Sequence, residues 1–225
     1  MKVGLFGTGA YGMALSSILS HNRCDVTMWT RFDEEKESLE KTRKNEKYLE
    51  NFEIDKDIKI TTKIEECINE QDLIIIAIPA AFVRSVCESM KPYVNNHHIL
   101  IATKGIEQGT GMFMHEIVDK TLNTKNIAVI SGPSFAVDII TKMPAGLTVA
   151  SNSPETILIV RQALQNNYIK LDGLHDITGV EICGSIKNVI AIASGMLEGL
   201  KANDSTKAML ITEAMKDMGN YTRSI

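Results

Sequence analysis

The sequence predicts an α/β fold, in which a doubly wound, mainly parallel sheet is followed by the start of an all-helical second domain. Short apolar, β-branched runs alternate with longer amphipathic stretches, a pattern that is typical of βαβ units. A glycine-rich turn follows directly on the first of these runs. Near Gly179 the composition changes to small and apolar residues. We therefore expect a first domain over residues 1–178 and a partial helical domain over 179–225.

Eight apolar segments are predicted to form the strands of the sheet. Segment 73–78 is apolar throughout, as expected of a central strand that is covered on both faces. Segment 168–171 is short and predicts a small final strand. The predicted strands are 2–6, 25–29, 58–61, 73–77, 98–102, 126–130, 147–150 and 168–171.

Amphipathic segments between and after these strands predict helices. The charge-rich stretch 33–50 predicts a solvated helix followed by a surface loop. The stretch 181–199 is so rich in small and apolar residues that it indicates a helix buried on most sides. Because only two helices of the second domain are encoded, we also expect an exposed apolar face that favours self-association. The other predicted helices are 11–20, 81–90, 111–122, 154–165 and 205–218.

The glycine turn has the spacing G-x-G-x-x-G at Gly7, Gly9 and Gly12, between a predicted strand and a predicted helix. In this pattern the first glycine permits a tight turn, the second lets the backbone approach a pyrophosphate, and the third lets helix and strand pack closely. The helix N-terminus would offer free N–H groups to the phosphates. The turn therefore predicts a Rossmann-like dinucleotide-binding domain; the alternative is a tight βα turn without a ligand.

The end of the second strand predicts which dinucleotide is bound. An acidic residue there would hydrogen-bond the ribose 2′-hydroxyl of NAD, whereas an arginine would accommodate the 2′-phosphate of NADP. Arg31 follows the strand and Asp33 lies two residues further on. The cofactor is therefore expected to be NADP or NAD; the alternative for Arg31 is a loop cation exposed to solvent.

Three further loops place polar groups at the predicted carboxyl ends of strands, where open α/β sheets bind ligands. They are residues 78–80, 103–107 and 131–136. Lys104 could reach a substrate oxygen, and Ser134 with the N–H groups after Gly132 could hold a phosphate or carboxylate. Taken alone, each of these loops is more often structural than functional.

Lys187 lies in the middle of the small, apolar helical stretch. A lysine in that setting is unfavourable unless it meets a charge or a cleft. Burial lowers the pKa of lysine, as a general acid/base for a carbinol/carbonyl pair requires. The alternative is a lysine whose ammonium extends to solvent.

Composition restricts the partners of the protein. The net charge is −4 and no long basic run is present, so nothing indicates a nucleic-acid or membrane-surface partner. No apolar run approaches the about 20 residues of a membrane span, and no metal site is expected. The four cysteines are scattered, which favours free thiols in a reducing cytoplasm.

Taken together, these segments resemble the bacterial NAD(P)-dependent glycerol-3-phosphate dehydrogenase family. The combination of K-G-I-E, then S-G-P-S-F-A, then G-x-x-K-N-V-x-A-I-A-x-G is much more specific than a dinucleotide motif alone. The segments run in the order of the family over nearly the whole chain. The resembling stretches are 7–15, 29–31, 104–107, 131–136, 179–181, 184–195 and 203–212.

The resemblance implies an oxidoreductase that interconverts sn-glycerol 3-phosphate and dihydroxyacetone phosphate to supply phospholipid synthesis. Lys187 takes the position of the family's catalytic lysine and would exchange the proton with the C2 oxygen. Lys104 would bind the substrate and stabilise charge at the reacting centre, next to the cofactor. The other implied contacts are Gly132, Ser134 and Asn188 to the substrate, and Ala10, Tyr11, Arg31 and Ala136 to the cofactor.

Two departures from the family pattern affect the substrate site. Family chains continue with an aspartate and a Ser-Arg-Asn segment that binds the phosphate, and residues 220–225 are not that segment. Glu213 stands where the family usually has arginine. We therefore expect a truncated relative with a complete cofactor site, a weakened substrate site and, as a possible assembly, a homodimer. The alternatives are a non-catalytic dinucleotide-binding paralogue and a reductase of the ketopantoate or β-hydroxyacid type.

Overall fold

A computed structural model of the chain describes residues 1–49 and 51–223, in which an eight-stranded sheet is the main feature. Its strand order is β3-β2-β1-β4-β5-β6-β7-β8. All neighbours are parallel except β6 and β7, which are antiparallel. The predicted doubly wound, mainly parallel sheet is therefore confirmed. The strands are β1 Lys2–Phe6, β2 Asp25–Trp29, β3 Lys59–Thr61, β4 Leu73–Ile76, β5 His98–Ile101, β6 Ile127–Ser131, β7 Ala145–Ser151 and β8 Ile169–Leu174.

Helices cover both faces of this sheet. All the predicted helices are present, although the helix expected at 111–122 begins later because Ile106 and Phe113 form an antiparallel bridge first. The short helix α5 follows the loop 131–136 and was not predicted. The helix in the charge-rich stretch ends at Thr42, and Glu50 lies outside the described residues. The helices are α1 Ala10–His21, α2 Asp33–Thr42, α3 Val83–Met90, α4 Met114–Leu122, α5 Ala136–Ile140, α6 Pro154–Leu164, α7 Ile177–Gly199 and α8 Asp204–Arg223, with 3₁₀ turns at Glu65–Cys67 and Ala80–Phe82.

The apolar core lies in two layers, one on each face of the sheet. Alternate residues of β4 pack in opposite layers. Ile75 belongs to the layer with residues of α1 and α6, whereas Ile74 belongs to the layer with residues of α3 and α4. Both isoleucines are fully buried. Alternation of side chains along a strand produces this division. Because β1, β4, β5 and β6 run parallel, their carboxyl ends lie at one common edge of the sheet.

Helix α7 leaves the sheet domain. It begins at Ile177, where the carboxylate of Asp176 accepts a hydrogen bond of 2.8 Å from the N–H of Gly179. The first two turns are buried as far as Gly184, and most of the following residues are exposed. The expectation of a helix buried on most sides is therefore wrong, because α7 is mostly exposed beyond Gly184, although it packs on α8.

The expected exposed apolar face is confirmed on α7 and α8. Val189, Ile192 and Met196 lie three and four residues apart on α7, and each is more than 60% exposed. By length and composition alone, α7 is the one helix of the described residues that could cross a membrane. Buried core helices of water-soluble proteins pass the same test, so this is a weak indication.

The four cysteines are free thiols in the described structure, as the sequence predicts. Cys67 and Cys87 lie in the core, where burial raises the pKa of both thiols, that of Cys87 to about 12. Since the thiolate is the reactive form, these two side chains are inert packing residues.

Candidate active site

The glycine turn connects β1 to α1 and depends on the absence of two side chains. Gly7 has a φ of +123°, and a Cβ there would lie 2.4 Å from the carbonyl oxygen of Ala77, which directly follows β4. A Cβ on Gly12 would lie 2.2 Å from the carbonyl oxygen of Gly7. These two glycines therefore permit the tight turn and the close packing that the sequence pattern predicts.

Gly9 differs from both, because a Cβ at this position would meet nothing within 4 Å. Helix α1 starts from Gly9 without a side-chain cap, and its first turn, from Ala10, contains no acidic residue. Free N–H groups and the positive end of the helix dipole therefore face open space. These residues fit a pyrophosphate, which needs close backbone approach and N–H donors rather than a carboxylate.

The turn is held in place from the side by Asn45. Its amide donates hydrogen bonds of 3.0 Å to the carbonyl oxygen of Thr8 and 3.0 Å to the carboxylate of Glu35. Thr8 itself is buried. The backbone of the turn is thus fixed by side chains from α2 and the loop that follows it.

Arg31 and Asp33, the two residues after β2 that could contact the ribose of NADP or NAD, have different surroundings. Arg31 is exposed at the rim of the sheet edge. The carboxylate of Asp33 accepts a hydrogen bond of 2.8 Å from the hydroxyl of Thr62. The exposed guanidinium of Arg31 could pair with a 2′-phosphate and the carboxylate of Asp33 with a ribose hydroxyl, so the end of β2 is compatible with NADP or NAD.

Tyr11 joins the glycine turn to the loop 131–136. Its hydroxyl lies 3.1 Å from the hydroxyl of Ser134, and burial raises the pKa of the phenol. The ammonium of Lys104 lies 5.9 Å from the centre of the Tyr11 ring, within cation–π range. Three residues that the sequence predicts separately are therefore brought together in the fold.

Lys104 follows β5 in a loop of fixed shape. Gly105 has a φ of +137°, and the hydroxyl of Thr103 donates a hydrogen bond of 2.7 Å to the carbonyl oxygen of Ile78. Further along the loop, Arg84 of α3 donates two hydrogen bonds, of 2.8 and 2.7 Å, to the carboxylate of Glu107. Burial, and secondarily the positive charge of Lys187, lowers the pKa of Lys104.

The loop 131–136 lies between β6 and α5. Gly132 has a φ of +152°, and a Cβ there would lie 2.7 Å from the carbonyl oxygen of Gly146. Phe135 is 71% exposed, and the ammonium of Lys187 lies 5.9 Å from the centre of its ring. Ala136 is the first residue of α5 and packs against the core. The loop thus lies between the glycine turn and α7.

Lys187 projects from α7 at the same edge of the sheet. One turn earlier, Gly184 lies against β6, since a Cβ there would be 2.9 Å from the hydroxyl of Ser131 and 3.9 Å from Cδ of Lys104. Lys187 and Asn188 are both exposed. Of the two alternatives for Lys187, the structure shows the lysine that extends to solvent, because α7 emerges from the core before it reaches residue 187. Burial acts instead on Lys104.

The arrangement places two ammonium groups, a serine hydroxyl and a helix N-terminus along one edge of the sheet. Two cations and hydroxyl donors suit an anionic substrate with a carbonyl or carbinol oxygen. Within residues 1–49 and 51–223, no group of three or more His, Cys, Asp or Glu side chains could hold a metal ion. On α8, a carboxylate oxygen of Glu213 lies 3.5 Å from Nζ of Lys216.

Sequence reasoning missed two ionic contacts next to the site. The pair of Arg84 and Glu107 holds the Lys104 loop, and the pair of His115 and Glu181 joins α4 to α7. The first could not be found because its partners come from separate elements. The sequence could have indicated a buried partner for Glu181, since it is an acidic residue within a helix of small and apolar residues.

Two family models and several known proteins are similar to this chain. The family model for the N-terminus of NAD-dependent glycerol-3-phosphate dehydrogenase matches residues 2–157, and the model for its C-terminus matches residues 176–225. A glycerol-3-phosphate dehydrogenase [NAD(P)+] of Acinetobacter baumannii is 32% identical over 221 residues. That alignment covers 98% of this chain and 62% of the relative, so the chain spans less than two thirds of the relative's length.

Among solved structures, a glycerol-3-phosphate dehydrogenase is more similar to this chain than a reductase of another type. The crystal structure of glycerol-3-phosphate dehydrogenase from Coxiella burnetii superposes with a TM-score of 0.93 at 28% identity, covering 99% of this chain and 69% of that one. A protein of Enterococcus faecalis assigned as a 2-dehydropantoate 2-reductase superposes with a TM-score of 0.60 at 16% identity, covering 90% of this chain and 66% of that one. The latter shares only the fold. The chain belongs to the NAD-dependent glycerol-3-phosphate dehydrogenase family.

Proposed function

We propose that this protein is an NAD(P)-dependent oxidoreductase that interconverts sn-glycerol 3-phosphate and dihydroxyacetone phosphate in the cytoplasm. The observation that carries the proposal is the placement of Lys104 and Lys187 beside Ser134 and the glycine turn, in a chain of this family. Residues 1–178 would form the NAD(P)-binding domain and residues 179–225 part of the substrate domain.

The cofactor, NADP or NAD, would be held by the edge of the sheet at β1 and β2. Gly7, Gly9 and Gly12 shape the turn, and the first N–H groups of α1 would bind the pyrophosphate. When bound, the cofactor supplies or accepts the hydride. The other proposed cofactor contacts are Ala10, Tyr11, Arg31, Lys104 and Ala136.

The two lysines would have different roles at the reacting oxygen, one in proton transfer and the other in charge stabilisation. Lys187 would exchange a proton with the C2 oxygen, and its exposed position lets substrate reach it. Lys104 would stabilise negative charge on the substrate, since it is half-buried and its cation is weakly screened there. Their mutual repulsion favours an anionic ligand, because a phosphorylated substrate would neutralise both charges.

Substrate contacts would come from the loop 131–136 and from α7. Ser134 already lies within hydrogen-bonding distance of Tyr11, so its hydroxyl is oriented before a ligand arrives. Gly132 has a φ of +152°, a conformation that glycine adopts readily, and Asn188 follows Lys187 on α7. These residues would bind the phosphorylated substrate beside the cofactor.

A non-catalytic dinucleotide-binding protein is the second candidate. The observation in its favour is the exposure of the apolar residues that follow Lys187 on α7. A protein of this kind would need the glycine turn but not the lysine pair.

The test is a steady-state assay of dihydroxyacetone phosphate reduction by the chain and by its Lys187→Met variant. Loss of a general acid/base should lower kcat by about 10²–10⁴-fold, while NADPH affinity, followed by nicotinamide fluorescence, stays unchanged. Lys216→Met, an exposed lysine on α8, is the matched control. Full turnover in Lys187→Met would remove Lys187 from catalysis. NADPH binding without any turnover in the unmodified chain would favour the non-catalytic candidate.

A further inference from the structure

Glu181 is a buried acidic residue that the proposed chemistry does not use. It lies in the second turn of α7, and its side chain is 3% exposed. One carboxylate oxygen accepts a hydrogen bond of 3.0 Å from the backbone N–H of His115, and the other contacts Nδ1 of the His115 imidazole. Both oxygens of Glu181 are therefore committed to one residue of another helix.

Glu181 contacts the N-terminus of α4 through His115. His115 is the second residue of that helix, so its backbone N–H has no partner within α4. Glu116 accepts a hydrogen bond of 2.8 Å from the N–H of Phe113 at the same end. The carboxylate of Glu181 supplies an acceptor that α4 cannot provide itself, at the positive end of the helix dipole.

The contact between Glu181 and His115 lies less than two turns before Lys187 on the same helix. Three residues after Glu181, Gly184 lies against Ser131 and close to the side chain of Lys104. Three residues further on, Lys187 projects at the edge of the sheet. Beyond this point α7 is largely exposed and packs on α8, so its first two turns attach it to the sheet domain.

We propose that Glu181 is a positioning residue, which by holding His115 fixes α7 on α4 and so keeps Lys187 beside Lys104. This inference rests on the proposed function, in which both ammonium groups act on one substrate. Two like charges repel each other, and this repulsion would push α7 away from β5 unless the helix were anchored. Ile177 and Val180 of α7 pack in the core, and the buried pair adds a specific polar anchor to this packing, in line with the use of buried ionic groups for specific geometry rather than for net stability.

The charge of His115 strengthens the contact. Burial acts to lower the pKa of His115, but the hydrogen bond and negative charge of Glu181, together with Glu116 and Asp119 on α4, outweigh it and raise the pKa. Phe113 stacks on the imidazole, with ring centres 6.2 Å apart. The ring is therefore held between an aromatic neighbour and the carboxylate that it contacts.

The test uses the full chain with Glu181→Gln and His115→Gln, and with Glu198→Gln as the matched control. Glu198 is an exposed acidic residue of the same helix. The first measurement is amide hydrogen exchange followed by mass spectrometry. Loss of a hydrogen bond to a charged group should accelerate exchange across residues 177–187 roughly 10- to 100-fold in Glu181→Gln, with no change in β1 or α1 and none in the control.

The second measurement is the titration of Lys104 by NMR of lysine labelled with ¹³C at Cε. Lys187→Met provides the reference, because removal of that charge should raise the pKa of Lys104 toward the usual lysine value. If Glu181 positions Lys187, the Glu181→Gln variant should raise the pKa of Lys104 in the same direction. His115→Gln retains the backbone hydrogen bond and should give a smaller shift, which keeps the test available if Glu181→Gln does not fold.

Neither measurement requires turnover, so their outcome is independent of the proposed reaction. Unchanged exchange in residues 177–187 of Glu181→Gln would overturn the anchor. Accelerated exchange with an unchanged Lys104 titration would overturn the positioning of Lys187. If the chain reduces dihydroxyacetone phosphate, kcat of Glu181→Gln should fall while NADPH affinity stays unchanged; absence of turnover in the unmodified chain would count against the proposed function only.

Discussion

The sheet and the helix pair α7 and α8 are both rich in apolar residues, but only the sheet buries them. Ile74 and Ile75 of β4 are fully buried, whereas Ile192 and Met196 of α7 are 61% and 64% exposed. The sheet is covered by helices on both faces, while α7 packs on α8 and most of its residues beyond Gly184 remain exposed. Apolar composition therefore predicts a capacity for burial, and the neighbouring elements decide whether it is used.

The two parts of the candidate site, the glycine turn and the lysine pair, differ in the same way in how firmly neighbouring elements hold them. The glycine turn is defined by backbone contacts within the sheet domain, so its shape is built in before any ligand binds. The lysine pair depends on a side chain of α7, whose attachment to the sheet is limited to its first two turns. Cofactor contacts should therefore be insensitive to changes in α7, and substrate contacts sensitive to them.

The largest expected effect is a substitution within the glycine turn. Gly12→Val would place a Cβ against the Gly7 carbonyl, so the turn must open; we expect destabilisation of about 1–3 kcal/mol or more and loss of NADPH binding. Gly9→Ala meets no protein atom and should leave the melting temperature unchanged, yet weaken NADPH binding at least roughly tenfold because its methyl group would occupy the phosphate site. Melting curves and fluorescence titration measure both.

If Gly9→Ala destabilised the protein as strongly as Gly12→Val, the distinction between a packing glycine and a ligand-facing glycine would fail. If Gly9→Ala left NADPH affinity unchanged, the phosphate position at the N-terminus of α1 would be wrong.

A smaller effect on the same half of the site is expected for Arg31→Ala. Arg31 is exposed and can pair with a 2′-phosphate, so its loss should weaken NADPH binding about tenfold and leave NADH binding unchanged. Titration of both cofactors checks the preference, with Arg23→Ala, at an exposed turn before β2, as the control. An unaltered preference for NADPH would show that Arg31 does not contact the 2′-phosphate.

The helix pair should govern association of the chain. Its exposed apolar face favours contacts between molecules, so we expect concentration-dependent association in light scattering and binding of a hydrophobic dye. Ile192→Lys with Met196→Lys should reduce both, and surface changes of this kind alter stability by about 0.5 kcal/mol or less. Leu158→Lys, at an isolated exposed leucine of α6, is the control. A stable monomer with little dye binding would contradict this interpretation.

The smallest expected effect concerns the Lys104 loop at acidic pH. Arg84 and Thr110 hold the pKa of Glu107 at about 2, below its usual value of 4.5. A lowered folded-state pKa stabilises the protein above pH 4.5, and the stabilisation is lost as the pH falls from 4.5 toward 2. Because the Arg84–Glu107 pair is partly exposed and therefore screened by solvent, the effect is small. Melting temperature against pH should fall less steeply in this window for Glu107→Gln; an identical slope would contradict the assignment.

Particular residues show how far the sequence predicts the candidate site. Gly7, Gly12 and the order of strand, turn and helix were predicted together with their reasons, because their roles depend on local backbone geometry. Ser134 and Lys104 were predicted as separate loop residues, and their common proximity to Tyr11 was not. Contacts between residues far apart in the chain depend on strand order, which a single sequence does not specify.

The sequence by itself determined the positions of the strands, the site of the glycine turn and the family, because periodicity and local backbone requirements are properties of neighbouring residues. Only the tertiary structure decided that Lys104 is the half-buried lysine and Lys187 the exposed one. The physical reason is that burial is a property of what packs around a residue. Likewise, only the packing of α7 on α4 brought Glu181 to His115, across 66 residues of chain.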